Sequence, residues 1–277
     1  MPELPETETI ARDLDAAIGG GRRRIVGVEV TRPDVLRVVD AAELARRTTG
    51  ATIERCWRRA KLVVIDLSTA DRIVVQPRFT GALLLDAGAL DERERRYSTL
   101  AFDLDDGRRL HYRDIRRLGT VALMTPAEFA AYEAGLGVEP LGPDFSAARL
   151  SGILRGSGQA VKKVLMDQRR VVGIGNIYAN EALWRARIHP ARPARGVTAD
   201  ESRALHRAIV DVLTESVAAR GTSFRDYRDA SGNRGRFVEQ LAAYGRAGLP
   251  CPRCGTLLVA THDVDGRSSV LCPSCQS

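Results

Sequence analysis

The sequence predicts an α+β protein in three parts: an N-terminal antiparallel β-sandwich with an N-terminal helix (residues 1–125), a helical domain (126–246) and a short cysteine-bearing β-hairpin (247–277). Apolar residues follow a period of two from Ile25 to about Met124, which is typical of half-buried strands. Beyond a stretch rich in glycine and proline, the apolar residues are spaced as in helices. Four of the five cysteines fall in the last part.

One amphipathic helix is predicted near the N-terminus, over residues 7–18. Ile10, Leu14 and Ile18 share one face of it, and three glycines at 19–21 end it. Asp106-Gly107 is a favoured hairpin-turn pair between two predicted strands. The strands are predicted at 25–30, 62–67, 73–75, 83–85, 100–104 and 110–112. This pattern favours a β-sandwich or barrel.

The helical part begins after a predicted hinge at 135–143, where glycine and proline cluster. Its clearest helix starts at the capping box formed by Thr198 and Glu201. The residues that this helix is predicted to bury are Leu205, Ile209, Val212 and Leu213.

The charge balance indicates a polyanion as partner. Lys plus Arg number 42 against 35 Asp plus Glu, which gives a net charge of +7 and a pI near 9.5. Nearly all the basic residues are arginine, whose planar fork favours nucleic acid over a membrane surface. The sequence contains no long apolar run and no signal-peptide pattern, so we expect a cytoplasmic protein with no membrane partner.

The four C-terminal cysteines have the spacing of a zinc site, C-x2-C-x17-C-x2-C. They are Cys251, Cys254, Cys272 and Cys275. A pair of disulfides is the alternative, but thiols stay reduced in a cytoplasmic protein. We therefore expect one structural Zn²⁺, whereas Cys56 is expected to be a buried thiol.

A glycine turn precedes a helix in the segment 165–190. Gly173 and Gly175 stand just ahead of Asn176, which we interpret as the N-cap. The exposed N–H groups of such a helix start could bind a DNA phosphate, with Asn176 as a further donor. A dinucleotide site is disfavoured because Tyr178 occupies the position of the third small residue. A plain helix turn without a ligand stays open.

The N-terminus reads Met-Pro-Glu-Leu-Pro-Glu. Methionine ahead of so small a residue is normally removed, which would leave Pro2 with a free secondary amine. Such an amine, with a pKa near 8, is roughly one-tenth neutral at pH 7 and is a ready nucleophile. Attack on C1′ of a deoxyribose would give an iminium, with Glu3 to handle protons and Lys61 as a nearby cation. The alternative, a simple helix entry, explains Pro5 but gives Pro2 and Glu3 no role.

With its PELPE start, glycine-turn helix and C-terminal cysteine pairs, the chain resembles the formamidopyrimidine-DNA glycosylase family over essentially its full length. The resemblance implies a helix-two-turn-helix domain, a zinc finger, and a bifunctional glycosylase and AP lyase that removes oxidised purines in base excision repair. It implies Pro2 as nucleophile, Glu3 as proton donor and Lys61 in β-elimination. Asn176 and Arg267 would hold phosphate, and Arg267 would assist δ-elimination.

The resemblance also implies DNA contacts that replace the flipped base. Arg116 takes the position facing the orphaned cytosine, and Phe79 with Leu118 supplies an apolar wedge. Lys162 is a further candidate DNA contact. Tyr97 and Ser157 stand where the family commonly has histidine and lysine. The segment 230–237 is about as long as the loop that closes over 8-oxoguanine, which favours oxidised purines.

Arg267 is predicted at the tip of a hairpin with strands at 257–260 and 268–271 and a turn at Asp265-Gly266. A solvated surface arginine is the alternative.

For the whole chain we expect damaged double-stranded DNA as partner, a monomer, and a location in the bacterial cytoplasm or nucleoid. Two other functions stay open: an endonuclease VIII-like glycosylase for oxidised pyrimidines, and a DNA-binding regulator or relative without catalysis.

Overall fold

The computed structural model describes residues 2–20, 22–88, 90–224 and 226–277. Met1 and Gly21, which entered the sequence argument, lie outside the described residues. The chain forms two compact units. Unit 1 contains Met1–Gly135 with Ala219–Arg236, and unit 2 contains Leu136–Ala218 with Phe237–Ser277. One boundary thus falls within the glycine- and proline-rich stretch.

Unit 1 is a β-sandwich with four helices among its described residues. The helices are α1 (Leu4–Leu14), α2 (Ala41–Thr48), α3 (Glu92–Arg96) and α4 (Pro126–Glu133). The strands are β1 (Ile25–Val30), β2 (Leu36–Arg37), β3 (Ile53–Arg59), β4 (Leu62–Leu67), β5 (Arg72–Gln76), β6 (Gly81–Asp86), β7 (Ser98–Leu104), β8 (Arg109–Asp114) and β9 (Thr120–Met124). One sheet has the order β1-β7-β8-β6 and the other β2-β9-β5-β4-β3.

The main core lies between these two sheets. Along β4, Val63 and Ile65 point into it, while Val64 alternates to the outer face and packs under α4 with Phe129. This burial of both faces explains why β4 reads as an almost continuous apolar run. The predicted α+β sandwich is confirmed. Its pairings are antiparallel, except that β2 runs parallel to β9.

Helix α1 begins at Leu4, three residues before the predicted start. Leu4 is fully buried, and Pro5 suits the first helical turn because its φ is already fixed. After Leu14 a π-helical turn continues to Gly19. Helices α2 and α3 were not predicted. Both are short and begin at an aspartate side chain, Asp40 or Asp91, that accepts a backbone N–H.

Unit 2 is mainly helical in its described residues. Its helices are α5 (Ala147–Arg155), α6 (Val161–Met166), α7 (Asn176–Ala186) and α8 (Ala199–Ala218), and its hairpin comprises β10 (Val259–Thr261) and β11 (Ser269–Leu271). The predicted capping box is confirmed, because Thr198 N donates to Glu201 Oε2 and Glu201 N donates to Thr198 Oγ1. All four apolar side chains predicted for α8 are buried.

Across the described part of the chain, no helix is both long and apolar enough to span a bilayer.

Candidate active site and metal centre

The residues at the N-terminus are buried and fixed in unit 1. Pro2 is buried, and Glu3, the residue just before α1, is 2 % exposed. The backbone N–H of Glu3 donates to Glu6 Oε2 at 2.8 Å, and Glu6 Oε1 accepts from the N–H of Thr222 at 2.7 Å. One buried carboxylate therefore joins the chain start to the segment 219–236. The sequence analysis missed Glu6, although its spacing from Glu3 is that of a capping box.

Lys61 lies in the two-residue turn between β3 and β4 and is half-buried. Arg58 holds this turn by donating to Ala60 O at 3.1 Å and to Glu8 Oε2 of α1 at 2.7 Å. Burial raises the pKa of Glu8, but the hydrogen bonds and charges of Arg58 and Arg12 outweigh it, so the pKa lies below its ordinary value. Since α1 packs on β3 and β4, the turn that carries Lys61 is tied to the helix that follows Pro2 and Glu3.

Two adjacent loops of unit 1 carry the predicted wedge residues. Phe79 is 46 % exposed and has a φ of +46°, a strained value for a bulky side chain. The guanidinium of Arg116 lies 4.9 Å from the Phe79 ring centroid. Leu118 is 40 % exposed, and a Cβ on its neighbour Gly119 would lie 2.6 Å from Gln76 O. The close approach of the loops therefore requires glycine at 119.

Asp114, a buried carboxylate that the sequence analysis did not identify, holds these loops together. Its Oδ1 accepts from Thr80 Oγ1 at 2.5 Å and its Oδ2 accepts from the N–H of Gly119 at 2.8 Å. Thr80 Oγ1 also accepts from the N–H of Arg116 at 2.9 Å. Hydrogen bonds to buried groups thus fix the conformation of both loops, and the side chains of Phe79 and Leu118 are exposed on them.

An arginine-rich cavity of about 590 Å³ opens on unit 1 beside Asp114. Tyr97 lines it with four arginines: Arg32, Arg95, Arg96 and Arg117. The sequence analysis singled out Tyr97 alone. The charge-rich sequence of α3 could have indicated Arg95 and Arg96. Their position next to Arg32 and Arg117, however, depends on how the sheet folds.

In unit 2 the glycine turn and the start of α7 are ordered by Gln168. Its side chain donates to Ile174 O at 2.9 Å and accepts from the N–H of Gly173, whose φ is +80°. The N-cap of α7 is Gly175, so the prediction of Asn176 as N-cap was wrong by one residue. Asn176 is the first helical residue, and its side chain instead donates to Ser268 O at 3.2 Å.

Arg267 lies in the connection between β10 and β11 and is exposed. Asp265 and Gly266 have φ values of +52° and +63°, and the N–H of Arg267 donates to Val264 O at 3.1 Å, as in a type I′ turn. The predicted turn is confirmed. The strands are shorter than predicted and begin one or two residues later, since Leu257 pairs only in an isolated bridge with Pro250.

Lys162 is fully buried, and its ammonium donates to Ser268 O and Ser269 Oγ at 2.8 Å each. A side chain in this position does not present its charge at the surface, which differs from the expected direct contact with DNA. Lys163 pairs with Asp265 at 2.9 Å. Three side chains of unit 2, those of Lys162, Lys163 and Asn176, therefore brace the connection that carries Arg267.

The four C-terminal cysteines converge at the end of unit 2. Their Sγ atoms all lie within 4.8 Å of one another, with Cys254 Sγ 3.5 Å from Cys272 Sγ and 3.4 Å from Cys275 Sγ. Zn–S bonds of about 2.3 Å in a tetrahedron place sulfurs about 3.8 Å apart, so the cluster fits one zinc ion. Cys56, by contrast, is buried in the core of unit 1, as predicted, and burial raises the pKa of its thiol.

Family comparisons cover three segments of the chain. A model described as the formamidopyrimidine-DNA glycosylase N-terminal domain matches residues 1–121. The H2TH domain of the same family matches 136–228, and a zinc finger found in FPG and IleRS matches 248–277.

Full-length relatives and solved structures agree with these matches. The formamidopyrimidine-DNA glycosylases of Chloroflexus aggregans and Pelotomaculum thermopropionicum are each 41 % identical, over 100 % of this chain and 98 % and 99 % of those proteins. Lactococcus lactis Fpg bound to DNA with an abasic site superposes with a TM-score of 0.91 at 30 % identity, covering 99 % of both chains. MutM (FPG) of Thermus thermophilus gives 0.87 at 34 % identity, covering 99 % of this chain and 98 % of that one. The chain, with its C-terminal zinc finger, therefore belongs to the formamidopyrimidine-DNA glycosylase family of base-excision-repair enzymes.

Proposed function

We propose that this chain is a bifunctional DNA glycosylase and AP lyase that removes oxidised purines, namely 8-oxoguanine and formamidopyrimidines, from double-stranded DNA. The observation that carries the proposal is the buried chain start, where Pro2 is buried and the backbone N–H of Glu3 donates to the Glu6 carboxylate. A helix entry alone would not require that burial. A mutant of the L. lactis protein has been solved with DNA containing Fapy-dG, which supports the same lesion class here.

In the proposed reaction the neutral amine of Pro2 attacks C1′ of the damaged nucleotide, and the C1′–N bond to the base breaks. Glu3 supplies the proton needed for base loss. Protonation of O4′ then lets the C1′–O4′ bond break, which opens the sugar ring and leaves an iminium between Pro2 and C1′. The iminium withdraws electrons, so that loss of a C2′ proton expels the 3′ phosphate and a second elimination expels the 5′ phosphate. Lys61 acts in the first elimination and Arg267 assists the second. Hydrolysis of the iminium then releases Pro2.

Phosphate binding in this proposal comes from Asn176 and Arg267. Lys162 acts indirectly, because its buried ammonium fixes Ser268, the residue next to Arg267. The three proposed functional parts are the β-sandwich domain (1–125), the helical domain (126–246) and the zinc finger (247–277). A lesion is a single asymmetric target, so we propose a monomer, working in the bacterial cytoplasm or nucleoid.

The function is tested by incubating the protein, under borohydride, with duplexes that carry 8-oxoguanine, a formamidopyrimidine, an oxidised pyrimidine or an abasic site. We expect covalent trapping on the abasic duplex and on both purine lesions, with two-step strand cleavage when borohydride is omitted. Preferential trapping on the oxidised pyrimidine would assign the endonuclease VIII-like activity instead. Binding to every duplex without trapping would assign a DNA-binding relative that lacks catalysis.

Phe79 and Leu118 are proposed to fill the gap left by the flipped base. Replacing both with Ala should slow excision of 8-oxoguanine from a duplex by on the order of a hundredfold, since the wedge offsets unstacking. Single-turnover kinetics measure this change. Affinity for undamaged duplex should change little.

The matched substrate is the same lesion in a mismatched bubble, where the base is already unstacked. Excision from the bubble should be nearly normal in the double variant. Equal losses on duplex and bubble would contradict the wedge role.

A further inference from the structure

The guanidinium of Arg116 lies against an aromatic ring of the same unit. Its Cζ atom is 4.9 Å from the centroid of the Phe79 ring, within the roughly 6 Å over which a cation is attracted to an aromatic face. The backbone joins the two residues as well, because the N–H of Arg116 donates at 2.9 Å to Oγ1 of Thr80, the residue after Phe79. Backbone and side-chain contacts therefore both hold Arg116 beside Phe79.

Arg116 differs from its neighbour Arg117 in the partner of its charge. Arg117 pairs with Asp34 at 3.1 Å, whereas no carboxylate pairs with Arg116 within the part of the chain that the structure describes. Arg116 and Phe79 are both exposed, so the guanidinium meets the ring at the surface of unit 1. Contact with an aromatic face restricts the rotation of a long side chain but occupies none of its five N–H donors. The ring thus orients the guanidinium and leaves its donors available to a ligand.

We propose that Phe79 is a specificity-determining residue, whose ring orients the Arg116 guanidinium toward the base opposite the lesion and so makes excision depend on that base being cytosine. This inference rests on the proposed function. On its Watson–Crick edge cytosine offers two adjacent acceptors, O2 and N3, which match two N–H groups of the guanidinium. Adenine, guanine and thymine present no two adjacent acceptors on that edge. Such discrimination requires a guanidinium held in one orientation, which the contact with Phe79 provides.

The test measures single-turnover excision of 8-oxoguanine placed opposite each of the four bases. The readout is the ratio of the rate opposite cytosine to the rate opposite each other base. Phe79→Met keeps a long apolar side chain for insertion into the stack but removes the aromatic face, and Phe79→Tyr keeps that face. Leu118→Met is the matched control, because Leu118 is the other exposed wedge side chain and is aliphatic. Its replacement should affect all four duplexes equally.

We expect Phe79→Met to lower the preference for cytosine about fivefold, the factor for loss of one exposed cation–π contact. Phe79→Tyr should keep the preference. In an Arg116→Ala background, Phe79→Met should leave the ratio of rates unchanged, because a ring that acts through the guanidinium then has nothing to orient. A merely structural role of Phe79 would instead slow excision on all four duplexes and leave their ratios intact.

Three results would overturn the inference: an unchanged ratio in Phe79→Met, an equal fall of the ratio in Leu118→Met, or a further fall when Phe79→Met is added to Arg116→Ala. Equal excision opposite all four bases by the unchanged protein would also overturn it. Absence of any excision of 8-oxoguanine by the unchanged protein would instead overturn the proposed function.

Discussion

Blocking the amine of Pro2 will abolish covalent trapping by borohydride on abasic DNA. An alanine inserted ahead of Pro2 converts its nitrogen into an amide, whose lone pair is delocalised and no longer nucleophilic. Pro2→Gly keeps a free amine but changes its basicity and position, so it should retain a small residual rate. Loss of the nucleophile should reduce the trapping rate on the order of a thousandfold or more. Denaturing gels of the trapped complex measure the effect.

Pro5→Ala provides the matched control. Pro5 lies in the first turn of α1, where proline contributes only a favourable helix start. Its replacement should leave trapping within about twofold and lower thermal stability slightly, because proline restricts the unfolded chain. Undiminished trapping in the insertion variant would move the nucleophile to another amine, and Lys61 would be the first to examine. Equal losses in the Pro2 and Pro5 variants would indicate a disordered N-terminus instead.

Local patterns were sufficient for much of the fold. The apolar run of β4 and the capping box of α8 are short-range signals, and the structure contains both elements where they were predicted. The cysteine spacing was equally informative, because four thiolates at those intervals have few other uses. The short helices α2 and α3 were missed, since each depends on one aspartate cap rather than on a sustained apolar period.

Long-range contacts account for what the sequence did not show. Lys162 reads as a surface cation, but the fold buries it against Ser268, more than one hundred residues away. Asn176 reads as an N-cap, but the helical backbone already includes it, so Gly175 is the N-cap and the Asn176 side chain donates to the same loop. Glu6 was missed, because its bond to Thr222 becomes visible only when the segment 219–236 packs on the rest of unit 1.

Removal of zinc will disorder the hairpin that carries Arg267 and weaken binding to lesion DNA. The double change Cys272→Ser and Cys275→Ser leaves two ligands, too few for a structural zinc site. A charge-assisted contact such as Arg to phosphate contributes about 1.5–3 kcal/mol, so lesion-DNA affinity should fall at least about ten- to hundredfold. Trp184 packs against this cluster and the guanidinium of Arg253 lies 4.4 Å from its ring centroid, so its fluorescence should report the loss.

Trp57 is the other tryptophan of the chain, and Trp57→Phe leaves Trp184 as the only tryptophan, whose emission can be excited selectively. Cys56→Ser is the matched control, because Cys56 is a thiol outside the cluster and its replacement should retain one zinc per chain by metal analysis.

Arg267→Ala should keep zinc and the Trp184 signal. It should lose part of the DNA affinity, and the salt dependence of that affinity should fall by about one unit. The cysteine variant should lose more than Arg267→Ala, since it also frees the loop that Lys162 and Asn176 brace. A zinc-free protein with full affinity for lesion DNA would contradict the prediction that the zinc-held hairpin supplies a phosphate contact.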